Sequence, residues 1–596
     1  MGKRNSTDAF TYSHGLNGVD MVLDRRMALI IGLSTLAIII IVFWGRLAQR
    51  LNNHVRHIFN LESGSRKQTY WSQDHSEWWP WIKKNFLYAP LYKKRHHREL
   101  QLSKAISVGT LPSRFHTVLI VGYYIINGAG CLMLDYQAKS DVTWAALRGR
   151  SGYLAVWNFI VLIPFMARNN PLIPFLKISY DTFQLFHRYI ARLIIIESIV
   201  HTIAWAAVAR RAYGFGGMIE HIGKSPFLTY GTIGTVSMVI IALHSLPFIR
   251  HAFWETFLVS HQILAVLVFV GVYQHLKIGT PPAIASFFVG IIVLWVLERS
   301  ARIFRLMYRN IGWKSWYTQV HVQALPGEDS ACRLTFELQR PWRHESGCHV
   351  FIYLPRISLW MSHPFSIAWY DTTSQRYDKE ELPSNTSEAE LAMPSRNSNQ
   401  ISLVVATRSG MTKQLFDKAS NAPGGQITLG GFLEGPYGGS MSLKSYGTVL
   451  LFAGGVGITH QMTYVRDLLA GWELATVATR KIVLVWSIRH TEQLEWVRPW
   501  MDEILTMAGR TEVLTISMFV TKPKHRREIT SRSERVLMFP GRPNTQQIVT
   551  HEIQNRVGAM AVSVCGPGAM ADDVREAVRN QMDEGTVDFF EESFTW

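Results

Sequence analysis

"HRYIARLIIIESIVH", His187 to His201, decides how the first half of this chain is read. It places a histidine at each end of an apolar run, fourteen residues apart. Along an α-helix, fourteen residues advance about 21 Å and turn about 1400°, only about 40° short of four full rotations. Both imidazoles therefore face one way at opposite depths of a membrane. "HQILAVLVFVGVYQH", His261 to His275, repeats the spacing. Two such helices entering from the same side set His187 beside His261 and His201 beside His275. Histidine supplies only 22 of 596 residues, so two membrane-spanning pairs at one spacing are a pattern and not a coincidence. Ionisable side chains inside a membrane are costly and mark function. His244 and His251 have no partner at that spacing and read as satisfied or near-surface histidines.

Working outward, apolar runs at roughly 27–44, 117–134, 152–168, 186–208, 228–247, 254–273 and 282–298 predict seven spans, the third and seventh short. Residues 1–26 lack an apolar core with a small-residue cleavage site, so no cleavable signal peptide is expected and the first span serves as anchor. Beyond residue 300 short apolar strands alternate with polar loops and amphipathic helices, the pattern of a soluble half. With that half in the cytosol, an odd number of spans puts the N-terminus outside. Lys and Arg favour the loops so placed inside, led by "YKKRHHRE" within 45–116, although Arg25 and Arg26 abut the first span on the other side.

The net charge of +17 is assigned to lipid headgroups beside the spans, because no zinc-ligand array, recognition helix or basic–aromatic repeat points to nucleic acid. Cys131, Cys332, Cys348 and Cys565 form no disulfide framework, and the three in the soluble half suit a reducing compartment. "NST" at Asn5 is expected to be glycosylated outside, and "NTS" at Asn385 is not.

Two facing imidazoles at two depths suit haem iron, which takes two axial nitrogens, and two haems stacked in a four-helix core carry electrons across the hydrocarbon. Zinc held by two ligands at each depth has no evident use. Arg188, Arg192 and Arg250 either pair with haem propionates or are basic residues of the membrane surface.

The soluble half supplies a donor. "WYTQVHVQAL", "CRLTFELQ" and "HVFIYLPRI" read as strands of a small barrel, followed by "HPFS", a strand whose hydroxyl and backbone N–H groups suit a flavin edge. After a polar insertion at about 371–400, expected to be disordered, "ISLVVATR" leads through "SGMT" into a helix. Gly410 at that turn and Thr412 at the helix start offer N–H groups to a pyrophosphate, or simply cap the helix. "TVLLFAGGVGITH" is a buried strand, then Gly454, Gly455 and Gly457, then a helix, an arrangement that lets backbone approach a dinucleotide pyrophosphate. Arg489 ends the next strand where NAD-specific folds carry an acid, which favours the 2′-phosphate of NADPH. "MAVSVCGPGAM" puts Cys565 and Gly566 at a third strand end that opens onto a helix.

These parts in this order resemble the ferric reductase and NADPH oxidase superfamily over roughly residues 110–596, and the seven predicted spans with "EESFTW" look most like fungal ferric-chelate reductases. The resemblance implies a polytopic helical membrane domain with a bis-haem four-helix core, joined to a cytosolic ferredoxin–NADP reductase-like module of antiparallel FAD barrel and α/β NADPH domain. The expected divisions are 1–110 (tail, first span and basic cytosolic segment), 111–300 (transmembrane haem domain), 310–440 (FAD domain) and 445–596 (NADPH domain).

By resemblance, His187, His201, His261 and His275 ligate two b-type haems. His363, Pro364, Phe365 and Ser366 line the isoalloxazine of FAD, and Arg408, Gly410 and Thr412 face its phosphates. Gly454, Gly455, Gly457 and Thr459 hold NADPH phosphate, Arg489 meets the 2′-phosphate, and Cys565 and Gly566 sit near the nicotinamide. Phe594 and Trp596 compete to stack on the flavin. The implied activity is NADPH-dependent reduction of ferric chelates or siderophores, with cupric ions as a second substrate, for iron uptake. A plasma-membrane location, with a vacuolar membrane as the alternative, and coupling to an iron-uptake permease or oxidase go with it.

The rival readings are a superoxide-generating NADPH oxidase, a haem-binding membrane sensor without turnover, and a seven-span receptor. Intact Gly454, Gly455, Gly457, Arg489 and Cys565 speak against the sensor, and the paired histidines against the receptor.

Overall fold

A computed structural model describes the chain except residues 1, 63–67, 94–95, 98–99, 102–106, 314, 360, 373–396, 440, 526–533 and 593–596. Most of the polar insertion, Asn385, Phe594 and Trp596 therefore lie outside the described residues. The membrane half begins with the short helix α1 (Gly2–Ser13) and continues with seven long ones. These are α2 (Met21–Glu62), α3 (Arg114–Leu132), α4 (Ser140–Met166), α5 (Tyr180–Lys224), α6 (Pro226–His244), α7 (Trp254–Gly279) and α8 (Pro282–Asn310). Each predicted span overlaps one of them. Six are long and apolar enough to cross a membrane by length and composition, and α4 is the seventh long helix. Leu33, Ile41, Ile125, Leu243 and Ile263 point outward and exposed, as a surface facing lipid requires.

The third span was expected to be short because Arg148 and Arg150 interrupt its apolar run, yet α4 has 27 residues. Both arginines are buried and partnered from elsewhere in the chain, Arg148 by the carbonyls of Tyr12, Gly15 and Asn17 and Arg150 by a carboxylate. Arg150 Nε donates to Asp24 of α2, and its Nη1 donates to the Gly130 carbonyl (2.7 Å). A paired charge is tolerated where a lone one is not. The seventh helix is likewise longer than expected, because its charged second half continues without a break to Asn310. A hydrogen-bond network joins α3, α4 and α5: Asn158 donates to Asn127 (2.9 Å) and Glu197 (2.9 Å) and accepts from Tyr123 (2.6 Å).

In the soluble half, seven antiparallel strands form one sheet: β1 (Thr318–Leu325), β2 (Ala331–Arg343), β3 (Cys348–Tyr353), β4 (Ser362–Ser366), β5 (Trp369–Thr372), β6 (Asn397–Ala406) and β7 (Gln426–Gly438). Their order is β4-β3-β7-β1-β2-β6-β5. Inward residues such as Val320, Leu334, Phe336, Val350, Leu403 and Leu433 fill its core, and Leu415 of helix α9 (Met411–Ser420) closes it. The sheet is tied to the membrane half through Asn310 at the end of α8, which brackets both backbone groups of Leu433 (2.7 and 2.8 Å).

The remaining six strands are parallel, in the order β11-β10-β9-β8-β12-β13. They are β8 (Thr448–Gly454), β9 (Lys481–Ile488), β10 (Leu514–Val520), β11 (Val536–Pro540), β12 (Met560–Cys565) and β13 (Val587–Glu592). β8 is buried throughout, as a central parallel strand must be. The chain winds one way from β8 to β11 and the other way through β12 to β13. The crevice beyond the C-terminal ends of β8 and β12 is therefore the switch point at which such sheets bind ligands.

Sequence reading left open whether the basic segment 45–116 meets lipid, a partner or neither. Several of its described residues pack on this sheet. Arg56 of α2 lies 3.9 Å over the Tyr446 ring and donates to Ser445. Gln68 donates to the Ala478 carbonyl (2.7 Å), and Lys83 forms a buried ion pair with Asp588 (3.0 Å).

Candidate functional site

The two histidine pairs meet as their spacing predicts. α5 and α7 run in the same direction with the returning α6 between them in sequence. The ring centroids of His187 and His261 are 6.4 Å apart at an interplanar angle of 71°, and those of His201 and His275 are 6.0 Å apart at 90°. Two metal–imidazole bonds of about 2 Å each, with the ring radius added at both ends, fill this spacing, so each pair fits one iron. At the outer pair the second ring nitrogen is fixed by backbone: His201 Nδ1 donates to the Arg148 carbonyl (2.8 Å) and His275 Nδ1 to the Phe227 carbonyl (2.9 Å). That bond leaves Nε2 free to ligate, the usual division of labour in a ligating imidazole. His244, read as a satisfied histidine, is bonded to Ser260 Oγ (2.9 Å).

His187 and His261 also line a continuous cavity of about 2240 Å³ that runs from the membrane half into the crevice between the two sheets. A single small-molecule site measures about 300–1,000 Å³, so this one has room for more than one ligand. His363, Pro364, Phe365, Ser366, Arg408, Thr412, Gly454, Gly455, Gly457, Thr459, Arg489, Cys565 and Gly566 all line it, as do Arg188, Arg192 and Arg250. Gly410 is not among its walls. It caps α9 with φ 71°, and α9 begins at Met411, so Thr412 lies within the first turn. The Thr412 hydroxyl accepts from the Arg408 N–H (2.9 Å), which closes the loop on itself.

At the parallel sheet, Gly455 has φ 54°, and a Cβ on Gly457 would stand 2.1 Å from the Cys565 carbonyl. Only glycine allows the turn after β8 to lie this close to the end of β12. Burial raises the Cys565 thiol well above its usual range. The Thr459 hydroxyl donates to the Val456 carbonyl (2.9 Å), so its proton is already committed. Arg489 is mostly exposed and pairs with Asp329 (3.2 Å), which Gln493 also holds (3.0 Å). Burial lowers the His363 imidazole from its ordinary value.

Sequence reading missed three groups. Glu592, in register with Cys565, reaches the cavity and His349 (3.3 Å); the terminal "FFEESFTW" was its only signal. Glu434, one residue before the motif "GPYGG", accepts from Arg168 (2.9 Å), from Arg302 (2.7 and 2.9 Å) and from Tyr353 and Tyr437 (3.0 and 2.8 Å). Burial alone would raise this carboxyl, but Arg168 and Arg302 pull it down to about 2. Arg168, which stacks on Phe351 at 3.5 Å, is the third. As the last residue of the third predicted span, it read only as a charge at a membrane edge.

Helical spans, an antiparallel barrel and a parallel nucleotide-type sheet around one cavity define a membrane-bound oxidoreductase. Three family models match in chain order: a ferric reductase like transmembrane component over 151–272, an FAD-binding domain over 317–379 and a ferric reductase NAD binding domain over 446–579. The chain is 24% identical over 560 residues to a probable ferric reductase transmembrane component of Candida albicans, covering 86% of this chain and 76% of that protein. It is 24% identical over 557 residues to ferric reductase transmembrane component 3 of Saccharomyces cerevisiae, covering 86% and 71%. It is 23% identical over 506 residues to ferric/cupric reductase transmembrane component 2 of Schizosaccharomyces pombe, covering 76% and 81%. Among solved structures, a ferredoxin NADP+ reductase from Neisseria gonorrhoeae with bound FAD and NADP aligns at 10% identity and TM-score 0.30, over 46% of this chain and 98% of that one. By these matches the chain is similar to ferric reductase transmembrane components along most of its length.

Proposed function

We propose that this protein takes electrons from NADPH on the cytosolic face of a membrane and delivers them, through FAD and two b-type haems, to ferric chelates outside, with cupric ions as a second acceptor. The observation that supports it most is the stacking of two facing histidine pairs, the inner one opening into the cavity that holds both nucleotide-type motifs. The bound groups supply a change of electron number: NADPH gives two electrons as hydride, FAD takes both and releases them singly, and haem iron takes one at a time.

The chain's part is positional, and no side chain acts as nucleophile or general base. His187 and His261 hold the inner iron and His201 and His275 the outer, with Arg188, Arg192 and Arg250 placed for propionates. His363 to Ser366 would line the flavin ring, while Arg408 and Thr412 would face its phosphates, with Gly410 shaping the turn between them. Gly454, Gly455, Gly457 and Thr459 receive NADPH phosphate, Arg489 the 2′-phosphate, and Cys565 with Gly566 the nicotinamide end. The plasma membrane, with the N-terminus outside and an iron-uptake permease or oxidase nearby, completes this reading.

The test is stopped-flow absorbance of the purified protein, reduced anaerobically with NADPH and mixed with ferric citrate or oxygenated buffer. Fast haem reoxidation by the chelate and slow reoxidation by oxygen support the reading. The reverse makes the protein an oxidase, and failure of NADPH to reduce the haem rejects it.

A further inference from the structure

Beyond the outer histidine pair, α5 continues past the membrane to a break at Gly214 (φ 70°, ψ 175°) and turns into a second segment that carries His221. Helix α1 packs there, and its end brings His14 against Tyr213 and His221. The His14 and His221 ring centroids are 5.7 Å apart at 72°, close to the spacing and tilt of the two axial pairs. His14 Nδ1 donates to the Phe10 carbonyl (2.8 Å), which leaves Nε2 as the ligating nitrogen, and Nε2 lies 3.0 Å from the Tyr213 hydroxyl. Tyr213 stacks on His221 with centroids 5.0 Å apart. All three side chains are half-buried and reachable from solvent.

The cluster is tied to the outer pair through one residue. Arg148, whose carbonyl accepts from His201, sends its guanidinium to the carbonyls of Tyr12 (2.9 Å), Gly15 (2.9 Å) and Asn17 (3.2 Å) on either side of His14. Trp205, one turn beyond His201, donates to the Ser13 carbonyl (3.3 Å). A buried arginine thus spans the gap between His14 and the outer axial histidine.

From the His14, Tyr213 and His221 cluster we infer an acceptor site on the outer face, which binds a ferric or cupric ion through two imidazoles and a phenol oxygen before its reduction. This rests on the proposed reductase function and names the place where its substrate binds. Imidazole suits both iron and copper, and tyrosine oxygen is an established iron ligand. Binding releases the phenol proton to water, because the ligand must be deprotonated. One electron arriving at the outer pair converts Fe(III) to Fe(II) or Cu(II) to Cu(I). The phenolate then regains a proton from water as the reduced ion leaves. Departure is favoured in both cases: Fe(II) stands low in the divalent affinity order, and Cu(I) prefers sulfur ligands, which this N,N,O set lacks.

The experiment uses the full-length protein in detergent, as wild type, His14→Ala/His221→Ala and Tyr213→Phe, the last retaining the ring packing. In the oxidised protein without NADPH, stoichiometric Cu(II) is expected to give an electron paramagnetic resonance signal with coupling to two imidazole nitrogens, absent from the double variant. In turnover, KM for ferric citrate and for Cu(II) should rise by about tenfold or more in the double variant, with NADPH-driven reduction of the protein itself at the wild-type rate. Tyr213→Phe should raise KM for the ferric acceptor more than for the cupric one. Unchanged KM for both acceptors in the double variant, or an undiminished two-nitrogen copper signal, overturns the site. Failure of NADPH to reduce the wild-type haem would instead reject the reductase function, while the copper signal still reports on the site.

Discussion

Gly152 lies directly against the imidazole of His201: a Cβ there would stand 2.5 Å from Nδ1. Gly231 has the same relation to His275, at 2.7 Å. In each case the glycine comes four residues after the carbonyl that accepts the imidazole N–H, Arg148 for His201 and Phe227 for His275. A helix carbonyl already bonds the N–H four residues on, and a missing side chain at that position leaves its second lone pair open to the ring. Two helices on different sides of the bundle thus fix the outer histidines by one device.

Gly152→Ala should therefore push His201 off its carbonyl and disturb the outer site while the inner one survives. The expected result is a fall in haem content from two per chain toward one, read by quantitative haem extraction. Gly122→Ala, whose new methyl meets nothing within 4 Å, serves as the control.

Glu434 gives a pH dependence with a definite sign. Its folded-state carboxyl lies at about 2 against an ordinary 4.5, so its stabilising contribution is present above about 4.5 and is lost as pH falls toward 2. Thermal unfolding of the wild type should become easier across that window. Glu434→Gln should flatten this part of the profile and destabilise the neutral-pH protein by about 3–5 kcal/mol, because it leaves Arg168 and Arg302 without their carboxylate. A variant with the wild-type profile would mean that the joint between membrane and barrel does not depend on this ion cluster.

Arg489 and Asp329 make opposite predictions for one nucleotide. Removing the cation in Arg489→Ala should raise KM for NADPH by about tenfold or more and leave KM for NADH nearly unchanged. Asp329 now neutralises that cation at 3.2 Å, so Asp329→Asn should lower KM for NADPH. Steady-state kinetics with both nucleotides decides it, and equal shifts for NADPH and NADH would remove Arg489 from the 2′-phosphate.

What could be read in the sequence was whatever depends on local period or on a motif within one strand and turn. The fourteen-residue histidine pairs needed only helical geometry, and "AGGVG" needed only a buried strand followed by glycines. What escaped reading depends on partners far apart in the chain. The full length of α4 was hidden because the charges of Arg148 and Arg150 interrupt hydropathy, while Asp24, which neutralises Arg150, lies in another helix. Glu434 carries no pattern of its own and acquires meaning only when Arg168 and Arg302 converge on it. The placement of 45–116 was hidden for the same reason, since basic residues beside a span look alike whether they meet lipid or protein.

Lys83 tests that last placement. It is buried against Asp588 of β13, which also accepts from Tyr446, and Arg56 lies over that tyrosine. Burial would raise the Asp588 carboxyl, but Lys83 and Arg56 hold it below its ordinary value, so the strand edge depends on cations supplied by the end of α2 and the segment after it. Lys83→Met keeps the aliphatic bulk and removes the charge, leaving a buried carboxylate short of its nearest cation, a change that costs about 3–5 kcal/mol. The loosening should be local, because β13 is the edge strand and ends at Glu592 beside Cys565. Hydrogen exchange should rise in 587–592 and in the docked segment, with β8 and β9 still protected, and reduction of the protein by NADPH should slow while KM for the ferric acceptor stays the same. Unchanged exchange at β13 would show that the segment rests on the sheet without holding it.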